Sequence, residues 1–377
     1  MSEPSRVLYV AAEAAFFVTH RLPLALAARD RGYDVHVATP DGRLADVIRR
    51  HGLPWHRIIV KRRTHFLREL GSVPNLYALY RRLRPALVHH IALKPVLYGT
   101  VAARMARVPR VVNAVAGLGY AFDERRSRTL LGRSIGAAFS VLLRHPNMRF
   151  IFQNSDDRDV FVNRGWITAG AADLIRGSGV DPAIYFPAVT PPPQRPLVVL
   201  ASRLLASKGV AEFVAAARAL RAQGSSARFA IVGEPDPDNP DTITSAQLAQ
   251  WQAEGAVETW GRRSDMPEVL REASLFVLPT YYREGVPKAL IEAAATGLPS
   301  VTTDTPGCRD IVLHGRTGLI VPPRDVQALT TAIGDLLRDE GRRRDMGNAA
   351  REHVLAEFTL ARVIDSTLKA YAALFSA

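Results

Sequence analysis

The sequence holds one cysteine, Cys308. A lone thiol closes no internal disulfide, so a disulfide-stapled scaffold is excluded and a reducing cytoplasm is expected. Long apolar runs are also missing. Stretches such as residues 135–143 fall far below the roughly 18–20 residues that span a bilayer. The first apolar run, residues 7–18, carries Glu13 and lacks a small-residue cleavage site. It therefore reads as a strand and turn and not as a signal peptide. No G-x-x-x-x-G-K-[ST] occurs, which excludes a P-loop kinase. Gly117-Leu118-Gly119-Tyr120-Ala121-Phe122 lacks the third glycine of a dinucleotide fingerprint, so a dinucleotide oxidoreductase is set aside as well. No low-complexity tract or short repeat is present.

What is present is a globular composition. The chain has 377 residues, 47% hydrophobic and 23% charged, enough for a sizeable core and, by length, two domains. Its charge is lopsided. Residues 1–180 contain 28 Lys+Arg against 13 Asp+Glu, a net +15, and residues 181–377 contain 21 against 23, a net −2. A basic half points to an anionic partner: nucleic acid, an acidic membrane face or a phosphorylated ligand. No recognised motif or aromatic platform accompanies the charge, so nucleic acid is not expected. An arginine-rich genome is the plain alternative, but it leaves unexplained why only one half is basic.

Strand and helix patterns alternate. Strands are expected at 6–12, 33–39, 55–60, 86–90 and 110–114, with helices at 22–31, 44–51, 75–83 and 96–106. Beyond the proline-rich stretch 187–196, read as an interdomain linker, the plan repeats. Strands are expected at 197–201, 227–232, 257–260, 275–279, 300–303 and 318–321. Helices are expected at 210–223, 247–254, 266–273 and 287–297, with three closing helices at 326–340, 343–357 and 360–374. Helices between strands make right-handed parallel βαβ units, whose ligands bind outside the carboxyl ends of the strands. Two such domains facing one another would enclose a deep cleft.

Two segments carry chemistry. Tyr282-Arg283-Glu284-Gly285-Val286-Pro287-Lys288-Ala289-Leu290-Ile291-Glu292-Ala293 follows an expected strand and opens a helix. Its free N–H groups suit a phosphate, Gly285 permits close backbone approach, and Pro287 suits the first helical turn. Glu284 and Glu292 are fitted to sugar hydroxyls, or are two solvated glutamates flanking a helix start. In Ala201-Ser202-Arg203-Leu204-Leu205-Ala206-Ser207-Lys208-Gly209-Val210, Arg203 and Lys208 could together neutralise a diphosphate. Arg203 directly follows an apolar strand and looks poorly placed for plain solvation. A basic loop at a strand end is the alternative.

Arg203, Lys208-Gly209, Gly233, Gly261-Arg262-Arg263-Ser264-Asp265, Pro279-Thr280 and the Glu284/Glu292 pair resemble, in order and spacing, the family 4 glycosyltransferases. The resemblance covers nearly the whole chain. It implies an α/β, GT-B fold: two facing Rossmann-like domains with parallel sheets and an interdomain cleft. It also implies retention of anomeric configuration and no metal or other cofactor. By the same resemblance Arg203 and Lys208 hold the donor diphosphate and Glu292 takes the ribose hydroxyls. Glu284 binds the transferred sugar, with Gly285, Val286, Pro287 and Lys288 beside it, and Gly233 and Arg262 line the base pocket. The expected division is residues 1–180, an acceptor- and membrane-facing domain; 181–357, a nucleotide-sugar domain; and 358–377, a helix packing back on the first.

The first half departs from the common family pattern. The loop after the first strand has no Gly-Gly, and Asn113 to Gly119 stands where a histidine is expected, which puts a His-assisted mechanism in doubt. Phe16-Phe17-Val18-Thr19-His20-Arg21, His89-His90 with Lys94 and Tyr98-Gly99, and Ala116 to Tyr120 resemble one subgroup. That subgroup includes the bacterial enzyme that adds GalNAc to polyprenyl-diphosphate-linked diacetylbacillosamine, and related O-antigen and capsule transferases. His20, Lys94, Gly117 and Gly119 become acceptor-side candidates, and UDP is the expected nucleotide. Lys94, before Pro95, is expected in an extended loop. Residues 61–68 and 125–144 mix cations with apolar residues and could lie on an anionic leaflet, although a core helix with a basic lead-in also explains the second. Expected partners are thus a UDP-sugar, a polyprenyl-diphosphate-linked glycan and an anionic membrane surface. The expected location is cytoplasmic, peripheral on the inner face of a bacterial plasma membrane. A transferase with a soluble acceptor and a UDP-sugar epimerase are the alternatives; donor sugar, acceptor sugar and linkage are not legible.

Overall fold

A computed structural model describes residues 4–40, 44–59, 71–118, 141–188, 195–237 and 239–376. Contacts divide the chain into two units. Unit 1 comprises Met1–Ser178 with Ala361–Ala377, and unit 2 is Gly179–Leu360.

Unit 1 holds β1 (Arg6–Ala11), β2 (Asp34–Thr39), β3 (Trp55–Arg57), β4 (Leu87–Ile91), β5 (Val111–Val115), β6 (Met148–Phe152) and β7 (Ala172–Leu174). They form one parallel sheet in the order β3-β2-β1-β4-β5-β6-β7. Strands such as β4 and β5 are buried at every position, as a parallel sheet covered on both faces requires. Leu8, Val10, Val88 and Phe150 pack on one face. Tyr9, Phe17, Ile91 and Tyr371 pack on the other. Tyr371 comes from the last helix, Leu360–Ser376. Its hydroxyl donates to the Tyr9 hydroxyl at 3.1 Å and bonds Nδ1 of His89.

Unit 2 repeats the plan with β8 (Leu197–Ala201), β9 (Arg228–Val232), β10 (Glu258–Gly261), β11 (Leu275–Leu278), β12 (Ser300–Thr303) and β13 (Gly318–Val321). The order is β10-β9-β8-β11-β12-β13, again parallel. Each sheet runs outward from its first strand and then reverses, between β1 and β4 and between β8 and β11. Such a reversal leaves a crevice at the carboxyl ends of the two flanking strands.

Several sequence expectations change. The first apolar run is a strand followed by a helix, Ala14–His20, so His20 ends a helix. Lys94 is not in an extended loop: the helix begins at Leu93, and Pro95 is tolerated because first-turn N–H groups have no intrahelical partner. The chain crosses between units at Ser178 and Gly179, so the proline-rich stretch, of which 189–194 fall outside the described residues, belongs to unit 2. Residues 144–180, left unassigned by pattern, supply β6, β7 and the helix Ser155–Asn163. Gly119 and residues 61–68 and 125–140 lie outside the described residues.

Candidate active site

The site residues of unit 2 sit at the carboxyl ends of its strands. The loop after β8 is drawn against the end of β11 by Gly209, whose φ is +74°; a Cβ there would lie 2.2 Å from the carbonyl oxygen of Pro279. Only glycine fits that approach in that conformation. The Tyr281 N–H donates to the Ser207 carbonyl at 2.9 Å, and the Ser207 N–H donates to Asp241 Oδ2 at 3.0 Å. These bonds hold a short 3-10 turn, Ala206–Lys208, and place Lys208 inside, 7% exposed. There its Nζ pairs with Glu284 Oε1, and the Tyr282 ring lies 5.7 Å away. The cation and carboxylate thus come from the two strands that flank the sheet reversal.

Beyond Glu284, the backbone of Gly285, Val286 and Pro287 is buried and leads into the helix Lys288–Ala295, with Pro287 at its N-cap and no capping side chain. Pro287 therefore stands just outside the first turn expected for it. Gly307, at φ +79°, lies so close that a Cβ would fall 1.6 Å from the Gly285 carbonyl oxygen. One turn into the helix, Glu292 is 9% exposed and Lys288 Nζ lies 3.3 Å from its Oε1. The Tyr185 phenol is pushed up by burial and then by the Glu292 carboxylate that it hydrogen-bonds. Cys308 is buried behind the loop. Burial pushes its thiol up to about 11 and the Glu284 charge adds to this, while bonds to Thr302 and Thr305 and the Lys208 charge oppose it. That thiol is inert at neutral pH.

Gly233 follows β9 with φ +144°, and a Cβ there would meet the Ser202 carbonyl oxygen at 2.0 Å. Its N–H donates to Gly261 O at 2.8 Å, which aligns the ends of β8, β9 and β10. Arg203 is half-exposed at 54% and faces Asp236 Oδ2 at 3.6 Å, so the expectation that solvent is denied to it was wrong. Arg262 is exposed on the turn after β10. The structure pairs Lys208 with Glu284, Lys288 with Glu292, and Arg203 with Asp236. Sequence reading missed Tyr185, Asp236 and Gly307. A glycine beside the N-terminus of a short helix, Cys308–Ile311, was the available signal for Gly307.

In unit 1 the acceptor-side candidates also lie beyond strand ends. His20 stacks on Phe16 with ring centroids 4.3 Å apart, and its Nδ1 bonds Ser178 Oγ at 3.1 Å. Lys94 follows β4, after Ala92 at φ 70°, and Gly117 follows β5 at φ 102°. Beneath them, His90 Nδ1 donates to Asn113 Oδ1 at 2.8 Å and Tyr80 OH donates to His90 Nε2 at 3.0 Å. Burial lowers His90 to about 4, against a smaller opposing effect of the Asn113 bond. Gly99 is required here, since a Cβ would lie 2.4 Å from His90 Nε2. Among the described residues no helix is long and apolar enough to cross a membrane.

Comparison with known proteins agrees with this geometry. Residues 6–148 match the family described as Glycosyl transferase 4-like, and residues 195–339 match Glycosyl transferases group 1. The chain is 27% identical over 367 residues to the N,N'-diacetylbacillosaminyl-diphospho-undecaprenol alpha-1,3-N-acetylgalactosaminyltransferase of Campylobacter jejuni, covering 93% of this chain and 94% of that protein. It is 23% identical over 322 residues to the UDP-Gal:alpha-D-GlcNAc-diphosphoundecaprenol alpha-1,3-galactosyltransferase of Escherichia coli, covering 82% and 81%. Among solved structures, Anabaena HepE in complex with UDP and glucose matches at TM-score 0.76 and 18% identity, covering 97% of this chain and 99% of that one. Sucrose-phosphate synthase from Thermosynechococcus elongatus matches at TM-score 0.79 and 20% identity, covering 99% of each. These likenesses give the fold as GT-B, with two Rossmann-like domains. With a matching family over each of its two parallel sheets, the chain belongs to the family 4 glycosyltransferases.

Proposed function

We propose that this glycosyltransferase moves a hexose or (N-acetyl)hexosamine from a UDP-sugar to a polyprenyl-diphosphate-linked sugar, with retention and without a metal, during bacterial glycan assembly. The observation that carries the reading is the buried Lys208–Glu284 pair at the reversal of the second sheet. In the structure the two charges face one another. A nucleotide sugar brings a diphosphate to compete for Lys208 and hydroxyls to compete for Glu284. As the glycosidic bond breaks, negative charge gathers on the diphosphate, so Lys208, with Arg203 and the N–H groups before Lys288, stabilises the transition state more than the ground state. Glu292 receives the ribose hydroxyls, and Gly233 and Arg262 border the base. Attack from the face the leaving group vacates, within an ion pair, needs no protein nucleophile.

UDP as the nucleotide is supported by the name of the Escherichia coli relative and by the UDP bound to HepE. The lipid acceptor is supported by the names of both relatives, each of which specifies a diphospho-undecaprenol sugar. His20, Lys94, Gly117 and Gly119 serve the acceptor, and the net +15 of residues 1–180 draws the protein to the anionic inner face of the plasma membrane. The test is a donor screen that reads nucleoside diphosphate release with a defined polyprenyl-diphosphate-sugar acceptor. Release that depends on both a UDP-sugar and the lipid-linked acceptor is expected. Release with a water-soluble sugar alone, or conversion of a UDP-sugar with no acceptor, would replace this reading.

A further inference from the structure

Thr280 has no role in the reading above, yet it joins both halves of the charged pair. It follows β11 and is fully buried. Its Oγ1 lies 3.1 Å from the Ser207 carbonyl oxygen and 3.3 Å from Glu284 Oε1, and it accepts from the Tyr282 N–H at 3.2 Å. Its own carbonyl accepts from Thr303 Oγ1, which ties the residue to the neighbouring strand β12. A hydroxyl has one proton to give, and here two acceptors stand within reach of it. One belongs to the residue before Lys208; the other is the same carboxylate oxygen that Lys208 holds.

We propose that Thr280 is a positioning residue for the transfer reaction, donating its single hydroxyl hydrogen bond to Glu284 when Lys208 turns to the donor diphosphate. This rests on the roles proposed for Lys208 and Glu284. While Lys208 is on Oε1, that oxygen is well satisfied and the Thr280 proton favours the nearer Ser207 carbonyl. When Lys208 moves to the diphosphate, Oε1 loses its cation inside the protein, where the remaining hydrogen bonds to a carboxylate weigh more. The proton then turns to Oε1 and keeps the carboxylate aimed at the sugar. The Ser207 carbonyl is not abandoned, because the Tyr281 N–H still donates to it at 2.9 Å. The loop that carries Lys208 thus stays in place while the carboxylate changes partner.

Thr280→Val keeps the shape and removes the proton; Thr280→Ser keeps the proton. The expected result is a loss of about tenfold or more in kcat for Thr280→Val, UDP affinity within about twofold of wild type, and recovery by Thr280→Ser to within about threefold. Wild-type kcat in Thr280→Val overturns the proposal, as does an equal loss in the Ser variant. Glu284→Gln serves as the control. If it turns over normally, the site reading itself fails. If it is inactive while Thr280→Val is normal, only the role of Thr280 fails. A second measurement needs no substrate. Without Lys208 the Thr280 hydroxyl already donates to Glu284, so Thr280→Val should lower the melting temperature more in a Lys208→Met background than in the wild type. Additive shifts overturn the proposal.

Discussion

Removing one member of the Lys208–Glu284 pair should harm the stability of the fold as well as the reaction. Lys208 is buried and the Glu284 side chain is 18% exposed. Breaking a buried ion pair from one side leaves an uncompensated charge and costs about 3–5 kcal/mol, and the partial exposure of Glu284 argues for the lower end. For a domain of this size about 3 kcal/mol corresponds to roughly 6–12 °C in melting temperature. Glu284→Gln is the cleaner single change, because it keeps volume and leaves Lys208 with little but the Tyr282 ring. Lys208→Met is its counterpart. The double variant buries no lone charge and should regain most of the lost stability, to within about 1 kcal/mol of wild type. It should not regain turnover, since both charges that meet the donor are gone, and activity should remain down at least about 100-fold. Calorimetric melts of the four proteins, with activity measured on each, separate the two effects. Single variants that melt with the wild type would show that the pair is not held away from water. A double variant that turns over normally would remove both residues from the reaction.

Other outcomes follow from the same structure. Activity should survive excess EDTA, because the diphosphate meets Arg203, Lys208 and a helix start; a strict Mn²⁺ or Mg²⁺ requirement would contradict this. Binding to anionic vesicles should weaken as salt rises, since charge is screened beyond about 8–10 Å, and charge reversal at 61–68 or 125–128 should weaken it further; indifference to such vesicles at low salt refutes membrane docking. Unit 1 should lose stability in acid through His90. Its pKa of about 4 in the fold lies below about 6.5 in the unfolded chain, so the unfolded state binds more protons between those values. Stability is full above about pH 6.5 and falls by about 3 kcal/mol toward pH 4. Urea melts across that range should show the slope, and it should become shallower in His90→Gln, the remainder coming from His89, which burial also lowers.

Much of the fold could be read from local pattern because parallel strands buried on both faces are short, continuous apolar runs. Leu197–Ala201 and Gly318–Val321 appear in the structure where the runs lie. Elements whose identity depends on context were harder. Ala14–His20 has aromatic and β-branched residues that also suit a strand, and it becomes a helix because it packs Phe17 against Tyr9. Lys94 looked extended because residues before proline avoid the helical region, yet that is a bias and not a bar, and in the first turn of a helix Pro95 removes no intrahelical hydrogen bond. The strand ends gave the candidate residues, but not their partners. Nothing in the spacing of Lys208 and Glu284 announces a contact between them, since it is made by the reversal of the sheet and by Gly209. Asp236, beside Arg203, was hidden for a similar reason: it follows a different strand.

The bond between Tyr371 and Tyr9 spans 362 positions of sequence. Unit 2 is one continuous stretch of chain, whereas unit 1 is interrupted by it. During synthesis, therefore, the first unit to begin is the last to be completed. Until the final helix leaves the ribosome, the hydroxyl of Tyr9 and the ring of His89, both deep in their sheet, lack the partner that satisfies them, and the apolar face around them stays open. Unit 2 has no such wait and can close first. A chain stalled or clipped before the helix Leu360–Ser376 should then carry a folded second unit and an aggregation-prone first one, so that helix sets when unit 1 becomes safe in solution.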